Sequence, residues 1–239
     1  INYSDASGFT CAWDFSHEEK MELARGIFKE LEMYDIKQGK LLDVGAGRGE
    51  VMVVGKKLGW EVYGIELSKP FSSYAKNVHG LDVFTGTLEE SQFPSKYFDL
   101  IILNHILEHV FDPKSLMEKT CELLKTGGVL YIEAPNEEGL YYRVGDIYNR
   151  FMGRNWVFHL SPTFPPFHIY GFSPRTIVSL LHSFNYDVLV LKTFHRIRWV
   201  GACTSIKERV EKIGLSVVQF LSWCIGNGDC MRIIARKTQ

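Results

Sequence analysis

Residues 41–50 read Leu-Leu-Asp-Val-Gly-Ala-Gly-Arg-Gly-Glu, an apolar run that breaks into three glycines spaced two apart. The apolar periodicity of 51–58 follows at once, so the glycines mark a turn from strand to helix. Without Cβ atoms the backbone there can approach a ligand closely, and the helix start offers unpaired N–H groups. Outward from this turn the same rhythm repeats. Residues 60–67 (WEVYGIEL) read as a second strand, 70–77 as a helix and 81–86 (LDVFTG) as a third strand. Residues 97–104 (YFDLIILN) are almost wholly apolar, as a parallel strand covered on both faces should be. A helix over 112–124 has Pro113 in its first turn and Gly127-Gly128 closing it, and 128–135 (GVLYIEAP) read as a fifth strand. After an interruption come a helix over 174–184, a strand over 186–194, a helix over 205–225 and a last strand over 230–235. The alternation predicts an α/β fold: a doubly wound, seven-stranded, mostly parallel sheet whose ligands bind at the carboxyl ends of its strands. Ahead of it, 17–34 place Met21, Ala24, Ile27, Phe28 and Leu31 on one face of an amphipathic helix.

Composition narrows the class. The chain of 239 residues is worth roughly one and a half domains at about 150 residues each, which fits one decorated domain. A hydrophobic fraction of 46% excludes wholesale disorder. Lys and Arg number 27 against 28 Asp and Glu, a balance that argues against a nucleic-acid-coating protein. The five cysteines (Cys11, Cys121, Cys203, Cys224, Cys230) are odd in number and contain no C-x-x-C pair. That excludes a zinc ribbon or disulfide framework and leaves a reducing, cytoplasmic location as the expectation. No signal peptide is read at the start, and no apolar run reaches the roughly 18 residues of a membrane span.

The glycine turn also discriminates between ligands. Dinucleotide binders need G-x-G-x-x-G, because a pyrophosphate lies on the helix start. Here the third glycine would fall at Glu50, whose carboxylate repels a pyrophosphate, while Asp43 suits a cationic group. Glu66, 19 residues beyond Gly47, ends the second strand, where a carboxylate can accept both hydroxyls of a ribose. The indicated ligand has a ribose at one end and an ammonium or sulfonium at the other.

LLDVGAGRGE, the acid of YGIEL, GTLEE, FDLIILNHILEHVFDP and LLKTGGVLYIEAPN resemble, in order and spacing over 40–136, the motifs of class I S-adenosylmethionine-dependent methyltransferases. Within that class the chain resembles the small-molecule enzymes of the ubiquinone-pathway O-methyltransferase type. The resemblance implies that Asp43, Gly45, Ala46 and Gly47 hold the methionyl end of S-adenosylmethionine, and Glu66 and Leu67 the ribose. It places Thr87 and Leu88 at the adenine, and Asn104 and His105 beside the sulfonium. Gly49 reads as helix–sheet packing and Asp99 as a structural partner at the start of the fourth strand. The chain then divides into an N-terminal helical flap (1–38), a cofactor-binding core (39–135), a lid or substrate segment (136–172) and the rest of the sheet with an inserted helix (173–239).

Methyl transfer asks the protein to align an acceptor with an activated carbon and, for a hydroxyl acceptor, to take its proton. Histidine suits that task near neutral pH. His168, in a stretch (HIYGFSPRT) resembling the one that opens the helix after the insertion in many small-molecule methyltransferases, is the preferred base; His159 is second and His105 third. His109 and His195 share the neighbourhood, and a structural imidazole is the competing reading for each. His105, Glu108 and His109, spaced i, i+3 and i+4, would share one helical face fit for a divalent ion. Ubiquinone-pathway O-methyltransferases and small-RNA 3′-end 2′-O-methyltransferases carry E-x-x-E-H here and can use such an ion. This chain has His105 for the first Glu, and a structural role without metal is the reading adopted.

Residues 135–172 hold ten of the 32 aromatics and four of the eight prolines, and read as a long irregular lid over the site. Tyr141, Tyr142, Trp156, Phe167, His168 and Tyr170 are its candidate substrate contacts. Arg143, Arg150 and Arg154 could meet a substrate phosphate or carboxylate, or face solvent. The helix over 205–225 turns apolar nearly all round in its second half: core or lid packing, a homodimer contact, and shallow membrane attachment through 215–225 all fit that pattern. The expected protein is a monomer or homodimer acting on a small molecule, with a hydroxyl preferred to an amine as acceptor and no nucleic acid partner. An RNA methyltransferase, and a cofactor-binding module without catalysis, are the alternatives.

Overall fold

A computed structural model describes residues 16–151, 153, 157, 160, 167–196 and 206–239, the last group with backbone alone at 206–212 and 215. Helix α1 (His17–Met33) starts at a reciprocal cap: the Ser16 hydroxyl accepts the Glu19 N–H, and the Glu19 carboxylate accepts the Ser16 N–H. Its buried face is Met21, Ala24, Ile27, Phe28 and Leu31, the stripe that periodicity predicts. The chain then builds β1 (Lys40–Val44), α2 (Glu50–Lys57), β2 (Glu61–Glu66), α3 (Lys69–His79), β3 (Asp82–Thr85), β4 (Phe98–Asn104), α4 (Pro113–Leu123) and β5 (Leu124–Pro135). Then follow α5 (Leu140–Phe151), α6 (Pro174–Ser183), β6 (Tyr186–Phe194), α7 (Ile206–Cys224) and β7 (Cys230–Lys237).

The seven strands form one sheet in the order β3-β2-β1-β4-β5-β7-β6, parallel except for β7, which runs antiparallel to both neighbours. β1 pairs with β2 on one side and β4 on the other, so the order reverses there. That reversal opens a crevice beyond Val44 and Asn104, where an open α/β sheet binds its ligand. One core, including Leu42, Ile101, Leu103, Ile132, Met231 and Ile233, fills one face of the sheet. A second, joining α1 to Leu41, Leu100, Ile102, Tyr131 and Ile234, fills the other.

Two readings from the sequence are corrected. The segment after β5 is not irregular throughout, because Leu140–Phe151 is helical. Its pattern is masked in the sequence by aromatic residues and Gly145, poor helix formers individually, yet Tyr142 and Asn149, two turns apart, are buried together on one face. The stretch from His105 to His109 is a turn, and the helix begins only at Pro113, capped by the Asp112 carboxylate on the N–H groups of Lys114 and Ser115. His105 sits at φ +56°, outside helical geometry, so His105, Glu108 and His109 do not share a helical face. Among the described residues no helix is long and apolar enough to cross a membrane.

Candidate functional site

β1 delivers Asp43 to the crevice almost fully buried. Burial first, and then the charges of Glu50 and Glu66, push its carboxyl up to about 7. A site that raises an acid in this way is short of a cation. Beyond Val44 the turn runs through the left-handed region at Gly45, Gly47 and Gly49. At Gly47 nothing lies within 4 Å of where a Cβ would stand, which leaves the approach to the turn open. At Gly49 a Cβ would stand 2.4 Å from Leu81 Cδ1, so that glycine serves the packing of α2 against the Leu81 side chain. The Gly45 and Ala46 N–H groups bind the Ile65 carbonyl, and Gly47 N–H donates at 2.7 Å to Glu66 Oε2. Glu66 Oε1 accepts from Ser68 N–H at 2.7 Å. The end of β2 is thereby tied to the glycine turn.

A cavity of about 380 Å³ opens between this turn and the end of β4. One end is acidic, walled by Asp43, Gly45, Ala46, Gly47 and Glu50, with Lys20, Leu23 and Ala24 of α1 above them. The other end is walled by Asn104, His105, His109, Pro135, His168 and Arg196. Asn104 Oδ1 is buried there without a hydrogen-bond partner, a lone acceptor in a ligand-sized space.

Of the residues expected from the sequence, Asp43, Gly45, Ala46, Gly47, Asn104, His105 and His168 line this one cavity. Glu66, Leu67, Thr87 and Leu88 lie outside its walls, along the carboxyl ends of β2 and β3, where Gly86 N–H binds the Glu66 carbonyl. The Leu67 side chain is exposed, whereas that of Leu88 belongs to the sheet core. Tyr141 and Tyr142 on α5 do not reach the cavity; Tyr142 is buried, and burial raises both phenols. His159 and Trp156 lie outside the described residues.

The stretch leading into α6 is tied down to the loop after β4. Ile169 and Tyr170 N–H groups both donate to the Glu108 carbonyl, at 2.8 and 3.3 Å, and the Tyr170 hydroxyl donates to the Phe111 carbonyl at 3.1 Å. Phe167 is half exposed, and its carbonyl lies 3.3 Å from His109 Nδ1. This anchoring sets the His168 ring 4.8 Å from the His109 ring, centroid to centroid. Below the pair is Glu108, only 1% exposed, with Oε2 buried and without a hydrogen-bond partner. Against the upward pull of burial, the hydrogen bond from His105 and the neighbouring imidazoles hold the Glu108 carboxyl below its usual range. Glu108, His109 and His168 each bring one ligand atom within 4.8 Å of the others. One carboxylate and two imidazoles suit a divalent ion as a donor set, so these residues would hold it; such an ion would lower the pKa of a bound hydroxyl. In this donor set His168 takes the place that His105 has in the candidate trio read from the sequence.

His105 faces the other way. Its Nδ1 is 3.0 Å from Glu108 Oε1, and its Nε2 meets Arg196. Both ring nitrogens are occupied, which removes His105 from the candidate bases.

The site residues missed from the sequence are Lys20, Leu23, Ala24, Val51 and Pro135, together with Arg196 as a wall. For α1 the only available signal was its amphipathic stripe, which predicts packing and not contact with a ligand. The sequence places Phe194-His195-Arg196 at the carboxyl edge after the sixth strand, where ligands sit, without giving Arg196 a role.

Residues 15–191, about three quarters of the chain, match the family described as the methyltransferase domain. The chain belongs to that family. Its cofactor is S-adenosylmethionine, which has the cationic end that the acidic half of the cavity lacks. Among curated relatives, the human mitochondrial ubiquinone biosynthesis O-methyltransferase is 25% identical over 165 residues, covering 60% of this chain and 44% of that one. The ubiquinone biosynthesis O-methyltransferase of Coxiella burnetii is 30% identical over 141 residues, covering 56% and 58%. The chain spans about half the length of these relatives. A crystal structure of an S-adenosylmethionine-dependent methyltransferase from Archaeoglobus fulgidus shares the fold, with TM-score 0.62 at 21% identity over 91% of this chain and 94% of that one.

Proposed function

We propose that this methyltransferase domain transfers the methyl group of S-adenosylmethionine to a hydroxyl oxygen of a small metabolite, with His168 taking the proton. The observation that carries the reading is the His109–His168 pair above a buried, ionised Glu108, at the opposite end of one cavity from the acidic methionyl end. Asn104, which lines the cavity beside the histidine end, would hold the sulfonium, and the sulfonium would supply an activated methyl group to an acceptor aligned by the histidine end. A carboxylate beneath paired imidazoles stabilises the imidazolium that forms when the hydroxyl proton leaves. The two relatives above are named O-methyltransferases, which supports oxygen over nitrogen. The cavity supports a small acceptor, and Lys20 suits the carboxylate of the cofactor's methionyl end.

Labelled S-adenosylmethionine offered with a panel of phenols, alcohols and amines tests the reading. Hydroxyl acceptors should be methylated, and His168→Ala should lower kcat by about 10²–10⁴-fold while leaving S-adenosylhomocysteine binding intact. Methylation of amines alone would replace it. The second reading, a divalent ion on Glu108, His109 and His168, is favoured by their 4.8 Å grouping. Activity that survives chelation keeps the histidine base; activity lost to chelator and restored by a divalent ion establishes the metal instead.

A further inference from the structure

Arg196, just past β6, is the one arginine in the cavity wall among the described residues, and its side chain is 9% exposed. Its backbone N–H donates to Asp229 Oδ1 at 3.1 Å, which fixes where the side chain starts. Nη1 donates to Glu133 Oε2 at 3.0 Å and meets His105 Nε2. Glu133 on β5 is also bound by Arg232 of β7 through Nε at 2.9 Å, so the carboxylate that anchors Arg196 is itself anchored to the sheet. The His105 backbone is held from the same strand, its N–H donating to the Glu133 carbonyl at 2.9 Å.

A guanidinium has donors and no acceptor. His105 Nε2 must therefore be the accepting nitrogen, since a proton there would set donor against donor. The ring proton then sits on Nδ1, which is 3.0 Å from Glu108 Oε1 and donates to it. The reverse tautomer would put a lone pair against a carboxylate oxygen at that distance with no proton between them, and Glu108 would turn away. Arg196 and Glu108 thus select the same tautomer from opposite sides of the ring, Arg196 by leaving no room for a proton on Nε2 and Glu108 by accepting one from Nδ1.

We propose that Arg196 is a positioning residue for methyl transfer: by occupying His105 Nε2 it fixes the tautomer that holds the Glu108 carboxylate in place beneath His109 and His168. The inference rests on the methyl-transfer reading of the cavity. It assigns Arg196 to neither cofactor nor acceptor; Arg196 acts through two other side chains.

The test is the tautomer itself. In histidine-labelled protein saturated with S-adenosylhomocysteine, two-bond nitrogen–carbon spectra report which nitrogen of His105 carries the proton. Wild type should show Nδ1–H, and Arg196→Met should shift His105 toward Nε2–H. Arg196→Lys, which keeps one donor, should retain Nδ1–H. On the best hydroxyl acceptor of the panel, Arg196→Met should lower kcat by about 10–100-fold, the loss usual for an outer-shell partner, with S-adenosylhomocysteine affinity near wild type. Wild-type His105 protonated at Nε2, or a tautomer unchanged in Arg196→Met, overturns the proposal. Should Arg196→Met not fold, the wild-type and Arg196→Lys spectra decide alone. Failure of wild type to bind S-adenosylhomocysteine is a different result and removes the methyl-transfer reading.

Discussion

At the scale of single residues, the acidic end of the cavity makes predictions in which binding and stability oppose each other. Asp43 has an ordinary carboxyl value of 3.8 that the fold raises to about 7, so between those values the folded state binds more protons than the unfolded one. The contribution of this group to stability therefore falls as pH rises from about 4 to 7 and is level above, because ionising Asp43 beside Glu50 and Glu66 costs more when folded. Asp43→Asn should remove that slope and melt several degrees higher than wild type at pH 8 without cofactor, as calorimetry across pH would show. Wild type should bind S-adenosylhomocysteine more tightly as pH rises through 7 and Asp43 ionises against the ligand ammonium, and the same variant should bind it more weakly and lack that rise. Lys20 lines the same end and has no ion-pair partner among the described residues. Lys20→Met should weaken S-adenosylhomocysteine binding about tenfold, roughly one lost charge-assisted hydrogen bond, yet leave 5′-methylthioadenosine, which has no carboxylate, unaffected. Equal weakening of both ligands in titration calorimetry would refute that role.

At the scale of elements, α1 is part of the site because of how it is fastened. Its apolar face buries against the sheet, and Glu30 binds Lys192 of β6 and Arg232 of β7 at 2.7 Å each. Against the pull of burial, those two hydrogen bonds hold the Glu30 carboxyl below its ordinary value. Stability from a lowered carboxyl is present above its unfolded value and fades as pH falls through the folded one. Glu30→Ala should therefore cost about 1–3 kcal/mol at pH 7 in denaturant titrations, with the difference from wild type closing in acid. Because α1 carries Lys20, Leu23 and Ala24 to the cavity, cofactor affinity should drop with it. The elements also show where local reading ended. The α1 stripe, the glycine turn and the apolar β4 were legible because each is specified within a few residues. Helix α5 was not, since aromatic residues and Gly145 favour it only once Tyr142 and Asn149 can be buried. The turn at 105–109 hid behind helical spacing, because His105 at φ +56° breaks a pattern that only its side chains suggest.

At the scale of the whole molecule, the cofactor should act as a stabiliser of the fold that binds it. With S-adenosylhomocysteine at about 100 times its dissociation constant, binding adds about 2.7 kcal/mol, which for a chain of 239 residues raises Tm by about 5–10 °C. Thermal melts should show that shift and none with a nicotinamide dinucleotide; the opposite pattern would contradict the reading of Glu50. Apart from α5, the order of strands and helices, the glycine turn, Asp43 and the acid ending β2 were determined by the sequence alone. Apolar period, backbone sterics at glycine and the order of strand and helix are properties of neighbouring residues, and they need no knowledge of the fold. The union of Glu108, His109, His168 and Arg196 was decided only by the tertiary structure. These residues come from the loop after β4, the stretch before α6 and the end of β6, and nothing local to any one of them names the others. They meet because the sheet order sets the carboxyl ends of β1 and β4 side by side, and because backbone bonds to Glu108 and Asp229 draw the stretch before α6 and the end of β6 to the same crevice.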